Sequence, residues 1–546
     1  MIKKFTFFIL VFSTSIVIAQ CPTANITLST QNQVNNFLAN YPGCTTLNYN
    51  LTISGNSITN LNGLSNIVST TKQLDINNCP NLTDVSGLNN LTSATGTMFR
   101  FLNNPLLTNL PTFNSLVSIN SLVITNSNFN TINSFNNLTN LNSLNISNCP
   151  NLSSISGFTN VTSNLNNLSL NNLPVLSSIS SLSNVLSISR ISIIDCNSIT
   201  NFLNELNNYE LSTHLDYLYL SGNTLATLEP LVNLESVNQF QLINCSAIVD
   251  FNGLQNINNI GNLTIDNCSS LLNFNGLQNI IAINGLLAIK NSSSIVNLDG
   301  LNNINQLGSL ELRNNQSLNN IKNLMNLTQL DGSLIIKDNY NLINLEGLNS
   351  LTTIGPVLEI TNNSSLNSIS ALINISTMMY INEPSMDNLY FGIINNNNLS
   401  SLSGLDNLQL NNANSYFNLN IYNNQVLTFG SVPSICDYLN LGKPHTIYSN
   451  STGCQSASEI SAICQSLNTS NFAMKTVEIH PNPTKDRLFI SGNQNNEINV
   501  YDNLGRKMNC KRITENELSL ENLPTGIYTV EVISDRKKII KKIIKD

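Results

Sequence analysis

The sequence predicts a repeat solenoid built on one long parallel β-sheet, followed by a small all-β sandwich. Three observations carry that fold class. Leu74 to Gly96 reads LDINNCPNLTDVSGLNNLTSATG, an L-x-I-x-x-C followed by Leu82, Val85, Leu88 and Leu91 at three-residue steps. That pattern returns about every 23 or 24 residues for most of the chain, and a period of this size marks a repeat architecture. Charged residues make up only 10% of the chain against about 25% in ordinary proteins. Asn and Ser take their place, and both compete with the helix backbone, so long helices are disfavoured. After residue 475 the period stops and short alternating apolar runs broken by Pro and Gly begin, the mark of antiparallel strands. At 546 residues the chain exceeds one ordinary core, but a solenoid escapes that limit because each turn packs only on its neighbours.

Residues 1–20 read as a signal peptide: basic Lys3 and Lys4, an apolar run from Phe5 to Ile18, then Ile18-Ala19-Gln20 as the cleavage region. The run is too short to span a bilayer, and no later stretch reads as a transmembrane segment. Cys21 follows directly, but Gln20 is not the small residue that lipid attachment requires.

Residues 21–48 read as an N-terminal cap. Thr30 can cap a short helix with Val34, Phe37 and Leu38 on one face. Cys21 and Cys44 flank it, which in an exported chain predicts a disulfide, two unrelated thiols being the alternative.

Residues 49–428 hold the repeats. Sixteen strand starts run from Leu51, Leu74 and Phe99 to Phe391 and Leu419. With parallel strands about 4.8 Å apart, such a sheet is on the order of 70 Å long. Counting from each start, offsets 0 and +2 point into the core, and offsets −1, +1 and +3 point out to the expected concave face. The return side carries Gly-Leu pairs such as Gly253-Leu254 and Gly276-Leu277, too short for regular helix, so an irregular or short-helical convex side is expected. Tyr380 to Asn388 reads as a loop insertion. Offset +5 is Asn or Cys in 13 of the 16 repeats, and five of the 11 Cys sit there. Small buried residues that bond the neighbouring turns fit that column.

Residues 429–466 leave the period and carry Cys436, Cys454 and Cys464, read as a C-terminal cap with one disulfide of open pairing. Residues 467–475 form a polar linker, and 476–546 the sandwich.

From Cys21 to Lys475 the chain has 9 Lys+Arg against 21 Asp+Glu; from Thr476 it has 12 against 10. The acidic body argues against nucleic-acid partners. No HExxH, CxxC or phosphate-binding Gly loop occurs, and His214, His445 and His480 lie in different regions. No catalytic, cofactor or metal site is expected, and the chain does not read as an enzyme.

Two outward clusters are binding candidates. Lys290, Arg313 and Lys337 share offset +3 on consecutive strands, where like charges repel. Glu311 and Glu359 at offset +1 could neutralise them. The group reads either as a self-compensated ladder or as a patch for an anionic glycan or acidic protein segment. Arg190, Tyr217, Tyr219, Gln239 and Gln241 sit at offset −1 or +1 of adjacent strands. Aromatic faces beside amide and guanidinium donors suit sugar or peptide, with plain Tyr–Arg packing as the alternative. In the opening repeat, Asp75 and Asn77 are the positions the pattern leaves free to touch a partner.

Over roughly residues 45 to 430 the L-x-L/I-x-x-N/C repeats resemble leucine-rich repeat proteins, especially bacterial exported ones similar to the receptor L-domain. The tail resembles the type IX secretion C-terminal sorting domain of Bacteroidetes-type bacteria. The matching residues are Pro481-Asn482-Pro483, Asn499 to Arg506 with Gly505, and Leu523 to Tyr528 with Gly526, followed by the basic end. That resemblance implies recognition by outer-membrane export machinery, tail cleavage, and release or attachment to surface lipopolysaccharide. Together they imply an exported cell-surface or secreted protein that binds a protein or glycan on its concave face. A structural or adhesive component without one ligand is the alternative, and a hydrolase a weaker one.

Overall fold

The computed structural model describes residues 21–179, 182, 184–196, 213–222, 224–378, 390–410, 417–468, 478–491, 497–503, 505–514, 516–534 and 537–546. The signal peptide 1–20, the loop 380–388 and most of the linker 467–475 lie outside the described residues. The chain forms two units, one reaching Cys464 and one starting at Gln465.

The first unit is a parallel β-solenoid. Its sheet of 24 strands comprises a main column of 18 and a second column of 6 two-residue strands. In the main column the offset-0 residues face one another at each step: Leu51 opposite Leu74, Leu310 opposite Leu334, Phe391 opposite Leu419. The repeat strands are joined by one extra strand from each cap. Ile26–Leu28 pairs with Leu51–Ile53, and His445–Tyr448 pairs with Leu419–Tyr422. Each cap thus continues the ladder before its helices close the end.

In the opening repeat Leu74, Ile76, Cys79, Leu82, Val85, Leu88 and Leu91 are all at most 1% exposed. Each fully buried aliphatic side chain of this kind contributes about 2 kcal/mol of transfer free energy. Equivalent positions stack from turn to turn, so Phe113, Phe135 and Phe158 lie nearly parallel with centroids 5.3 Å apart.

The return side is more regular than expected. Short strands such as Ser69–Thr70 and Ser93–Ala94 pair turn to turn, as do Thr131–Ile132 and Ser154–Ile155. Single 3₁₀ turns, among them Ser86–Leu88 and Glu229–Leu231, fill the gaps. A near-constant turn length brings return segments into register too, and their backbone groups then pair with one another. At Gly253 (φ 108°) a Cβ would lie 2.2 Å from the backbone of the turn before, so the Gly-Leu pairs mark close approach.

Two polar columns end each strand. From Asn78 onward the residue at offset +4 is left-handed in each described turn: twelve Asn, with Asp195, Gly222, Asp338 and Ser449 in the others. Asn is the residue that tolerates this conformation after Gly. The amides also bond along the column, as Asn103 Nδ2 does to Asn78 Oδ1 at 2.8 Å. At offset +5 Asn315, Asn339, Asn363, Asn396 and Asn424 are fully buried. Each bonds the turn before it, Asn363 Oδ1 accepting from the Asn339 N–H at 3.1 Å and its Nδ2 donating to the Ile336 carbonyl at 2.9 Å. Cys79, Cys245 and Cys268 direct their thiols at the corresponding carbonyls of Ile53, Leu220 and Leu242. The first turn departs from the column: Asn56 is exposed.

In the N-terminal cap the expected helix is two pieces, Gln31–Asn35 and Phe37–Asn40, broken at Asn36, with Thr30 and Gln33 forming a capping box. Leu38, read as a core residue, is 41% exposed because the break turns it outward. Cys21 and Cys44 are disulfide-bonded, which leaves Cys21 no thiol for a lipid. At the other end Cys436 pairs with Cys464 across the helices Pro433–Asn440 and Ala457–Asn468, and Cys454 is a buried free thiol.

The second unit has two antiparallel four-stranded sheets. Leu488, Ile490, Val500, Leu518, Leu520, Val530 and Val532 are among its core residues. The basic end, Lys537–Lys545, is a strand paired with Gly526–Ser534.

Candidate functional site

The constant register decides which outward side chains meet. Lys290 lies opposite Arg313, and Arg313 opposite Lys337, as their shared offset predicts. Glu311 is on the strand of Arg313, and Glu359 is on the strand beyond Lys337. Lys290 Nζ is 3.6 Å from Glu311, Arg313 bonds Glu311 and reaches Glu359 at 3.7 Å, and Lys337 Nζ is 3.1 Å from Glu359. Each cation therefore has a carboxylate, and the ladder is internally compensated. Partly exposed ion pairs of this kind contribute little to stability.

The second cluster also assembles. Arg190 lies opposite Tyr217, Tyr217 opposite Gln239, and Tyr219 opposite Gln241. The Arg190 guanidinium sits 4.6 Å from the Tyr217 ring centroid, and the Tyr217 and Tyr219 rings are 6.1 Å apart. Burial, with Tyr219 beside it, pushes the Tyr217 hydroxyl above its usual range.

Beside this cluster lies a groove of about 580 Å³ that the sequence reading missed. It is formed where four strands extend N-terminally past their core segment: His214–Ser221, Ser236–Ile243, Asn259–Asp266 and Ala282–Lys290. His214 Nδ1 is 2.6 Å from Ser236 Oγ, and its Nε2 is 3.9 Å from a Glu235 carboxylate oxygen. The available signal was offset −2, where Asp216 and Asn238 are followed by Gly261 and Gly285.

A third group, also missed, is aromatic. Tyr422 and Tyr448 stack at 4.7 Å and 5°. A Cβ at Gly392 would come within 2.6 Å of the Tyr390 ring, so that ring lies across the strand where no side chain stands. Burial, then Tyr422 and Glu359, push the Tyr390 hydroxyl up to about 12.

Asp75 corrects an expectation. It is 3% exposed and paired with Arg100, because the long Arg side chain folds over the neighbouring strand. Asn77 remains partly exposed. In the Cys column burial pushes the Cys149 and Cys196 thiols up to about 11, whereas the neighbouring Cys245 thiol lowers that of Cys268. Among the described residues no group of three or more His, Cys, Asp or Glu could hold a metal ion.

The tail's motif residues hold its own fold. Asn482, between Pro481 and Pro483, donates from Nδ2 to the Lys542 carbonyl at 3.0 Å and accepts from the Ile544 N–H at 2.8 Å. It thereby fixes the basic last strand. Gly505 has φ 77° and closes a turn in which Asp502 accepts from Arg506 N–H at 2.9 Å. Gly526 opens the strand Gly526–Ser534, and Tyr528 Oη donates to the Pro524 carbonyl at 2.7 Å.

Residues 478–546 match the family described as the secretion system C-terminal sorting domain. The tail is a sorting domain of the type IX pathway; it implies interaction with that export machinery and delivery to the cell surface or extracellular space. No curated protein matches the chain. Among the described residues no helix is long and apolar enough to cross a membrane.

Proposed function

We propose that this is an exported leucine-rich repeat protein that binds a protein or glycan partner on the outward face of its sheet. The observation that carries the reading is the sorting tail joined to a solenoid whose outward face gathers Arg190, Tyr217, Tyr219, Gln239 and Gln241 into one contiguous cluster. The L-x-L/I-x-x-N/C period and the buried amide column support the repeat type. No catalysis is part of this proposal, and turnover in a broad hydrolase screen overturns that element.

The test is a combined glycan and protein array probed with the full chain. Arg190→Ala with Tyr217→Ala should lower binding at least tenfold. Lys290, Arg313 and Lys337 changed together to Ser should lower it less, because Glu311 and Glu359 already engage those cations. If the Ser variant leaves binding unaltered, the ion ladder has no part in recognition. Its compensation favours the second reading, a structural or adhesive component, for that part of the sheet.

A further inference from the structure

The groove beside Tyr217 has features of a ligand site. Its floor holds two glycines closely approached by the turn before. A Cβ at Gly261 would lie 2.4 Å from the Asn238 carbonyl oxygen, and one at Gly285 would lie 2.2 Å from Asn262 Oδ1. A side chain at either position would have to displace the Asn238 or Asn262 side chain or the backbone beneath it. Its rim carries unspent hydrogen-bonding capacity: the side chains of Asp216, Asn238, Asn259 and Asn284 are exposed, and none makes a hydrogen bond to the described protein. Amides offer two donors and an acceptor each. Asp216 and Asn238 share one row on adjacent strands, while Asn259 stands opposite Ser236, two residues along.

The lining selects among ligands. Leu215 and Val237 touch the groove but are buried in the core, at 4% and 1% exposure. That leaves no pocket for the apolar anchor side chains on which peptide recognition depends. The lining holds one carboxylate, Asp216, and no Lys or Arg, which disfavours an acidic ligand.

We propose that this groove binds an uncharged polysaccharide chain, laid across the four strands with its hydroxyls on the Asn and Asp side chains. The proposal rests on the binding reading above and names its ligand class. The test is native affinity electrophoresis of the full chain in gels containing mannan or laminarin, both neutral, or alginate, which is acidic. A neutral polysaccharide should retard the chain, and Asn238→Ala with Asn284→Ala should weaken that retardation at least tenfold. Asp216→Ala, a single change at another exposed rim residue, should weaken it severalfold. Lys322→Ala, on the return side of the turn, should migrate as the unaltered chain does. Retardation by alginate alone, or retardation equal in the unaltered chain and both rim variants, overturns the proposal. A partner found only among the array's proteins overturns this site while leaving the binding reading intact. No ligand in either assay overturns both.

Discussion

Asn339 joins two turns with one side chain. Its Oδ1 accepts from the Asn315 N–H at 3.0 Å, and its Nδ2 donates to the Leu312 carbonyl at 2.9 Å. Asn339→Ala leaves a donor and an acceptor buried without partners and should cost about 2 kcal/mol, read as a lower urea midpoint. Asn339→Cys should cost less, because a thiol there can keep the contact to the carbonyl, as Cys79 does with Ile53. Equal losses would refute the idea that Cys partly substitutes for Asn in this column. The sequence shows doublets such as Asn314-Asn315 and Asn362-Asn363, and both members recur at the period. The first is required for a different reason, its left-handed backbone. Periodicity reports that a residue type recurs; it does not separate a conformational cause from a hydrogen-bonding one. Asp75 was unreadable for a related reason: offset gives the direction of Cα–Cβ, while its burial depends on where the neighbouring Arg100 folds.

The caps show what pattern reading loses at the level of elements. Asn25-Ile26-Thr27-Leu28 contains a single apolar alternation with no repeat behind it, so nothing local separates a strand from a loop. The adjacent edge of Leu51–Ile53 supplies the missing reason, since an unpaired sheet edge is completed by whatever chain lies next to it. The C-terminal strand His445–Tyr448 was hidden in the same way, and with it the row that stacks Tyr448 on Tyr422. That cap depends on Tyr438, fully buried, whose hydroxyl donates toward the Phe417 and Pro444 carbonyls at 3.1 and 2.7 Å. Burial pushes this hydroxyl from 10 up to about 12. The folded state thus holds the proton more tightly than the unfolded state. The associated stability is complete below pH 10 and is lost as pH rises from about 10 towards 12, on the order of 2 kcal/mol. Thermal melts between pH 9 and pH 11 should show a fall in the melting temperature that Tyr438→Phe reduces. A fall of unchanged size in that variant would assign the loss to other groups.

At the scale of the molecule, the period, the strand positions and the sorting motifs were legible because each is a local pattern repeated or matched along the chain. The Arg190 cluster was legible too, because a constant register turns equal offset into adjacency. The groove was not. It depends on where side chains are missing, at Gly261 and Gly285, and on strand extensions outside the repeat's core segment. The sorting tail carries its own prediction. Deletion of residues 476–546 should hold the protein in the periplasm, measured by fractionation and surface labelling; normal surface display of the deletion would refute the tail's role in this chain.

The matched Asn columns have a consequence for how such a chain can change. Asn315, Asn339 and Asn363 form equivalent bonds to equivalent partners. A duplication or loss of one whole turn between them therefore leaves no unmatched junction, while the disulfide-closed ends stay as they are. Such a change moves every outward residue beyond it by one rung without altering its surroundings. Chain length is in this sense a free variable of the scaffold, and the spacing between the groove and the aromatic row can be reset by unequal recombination rather than by point substitution.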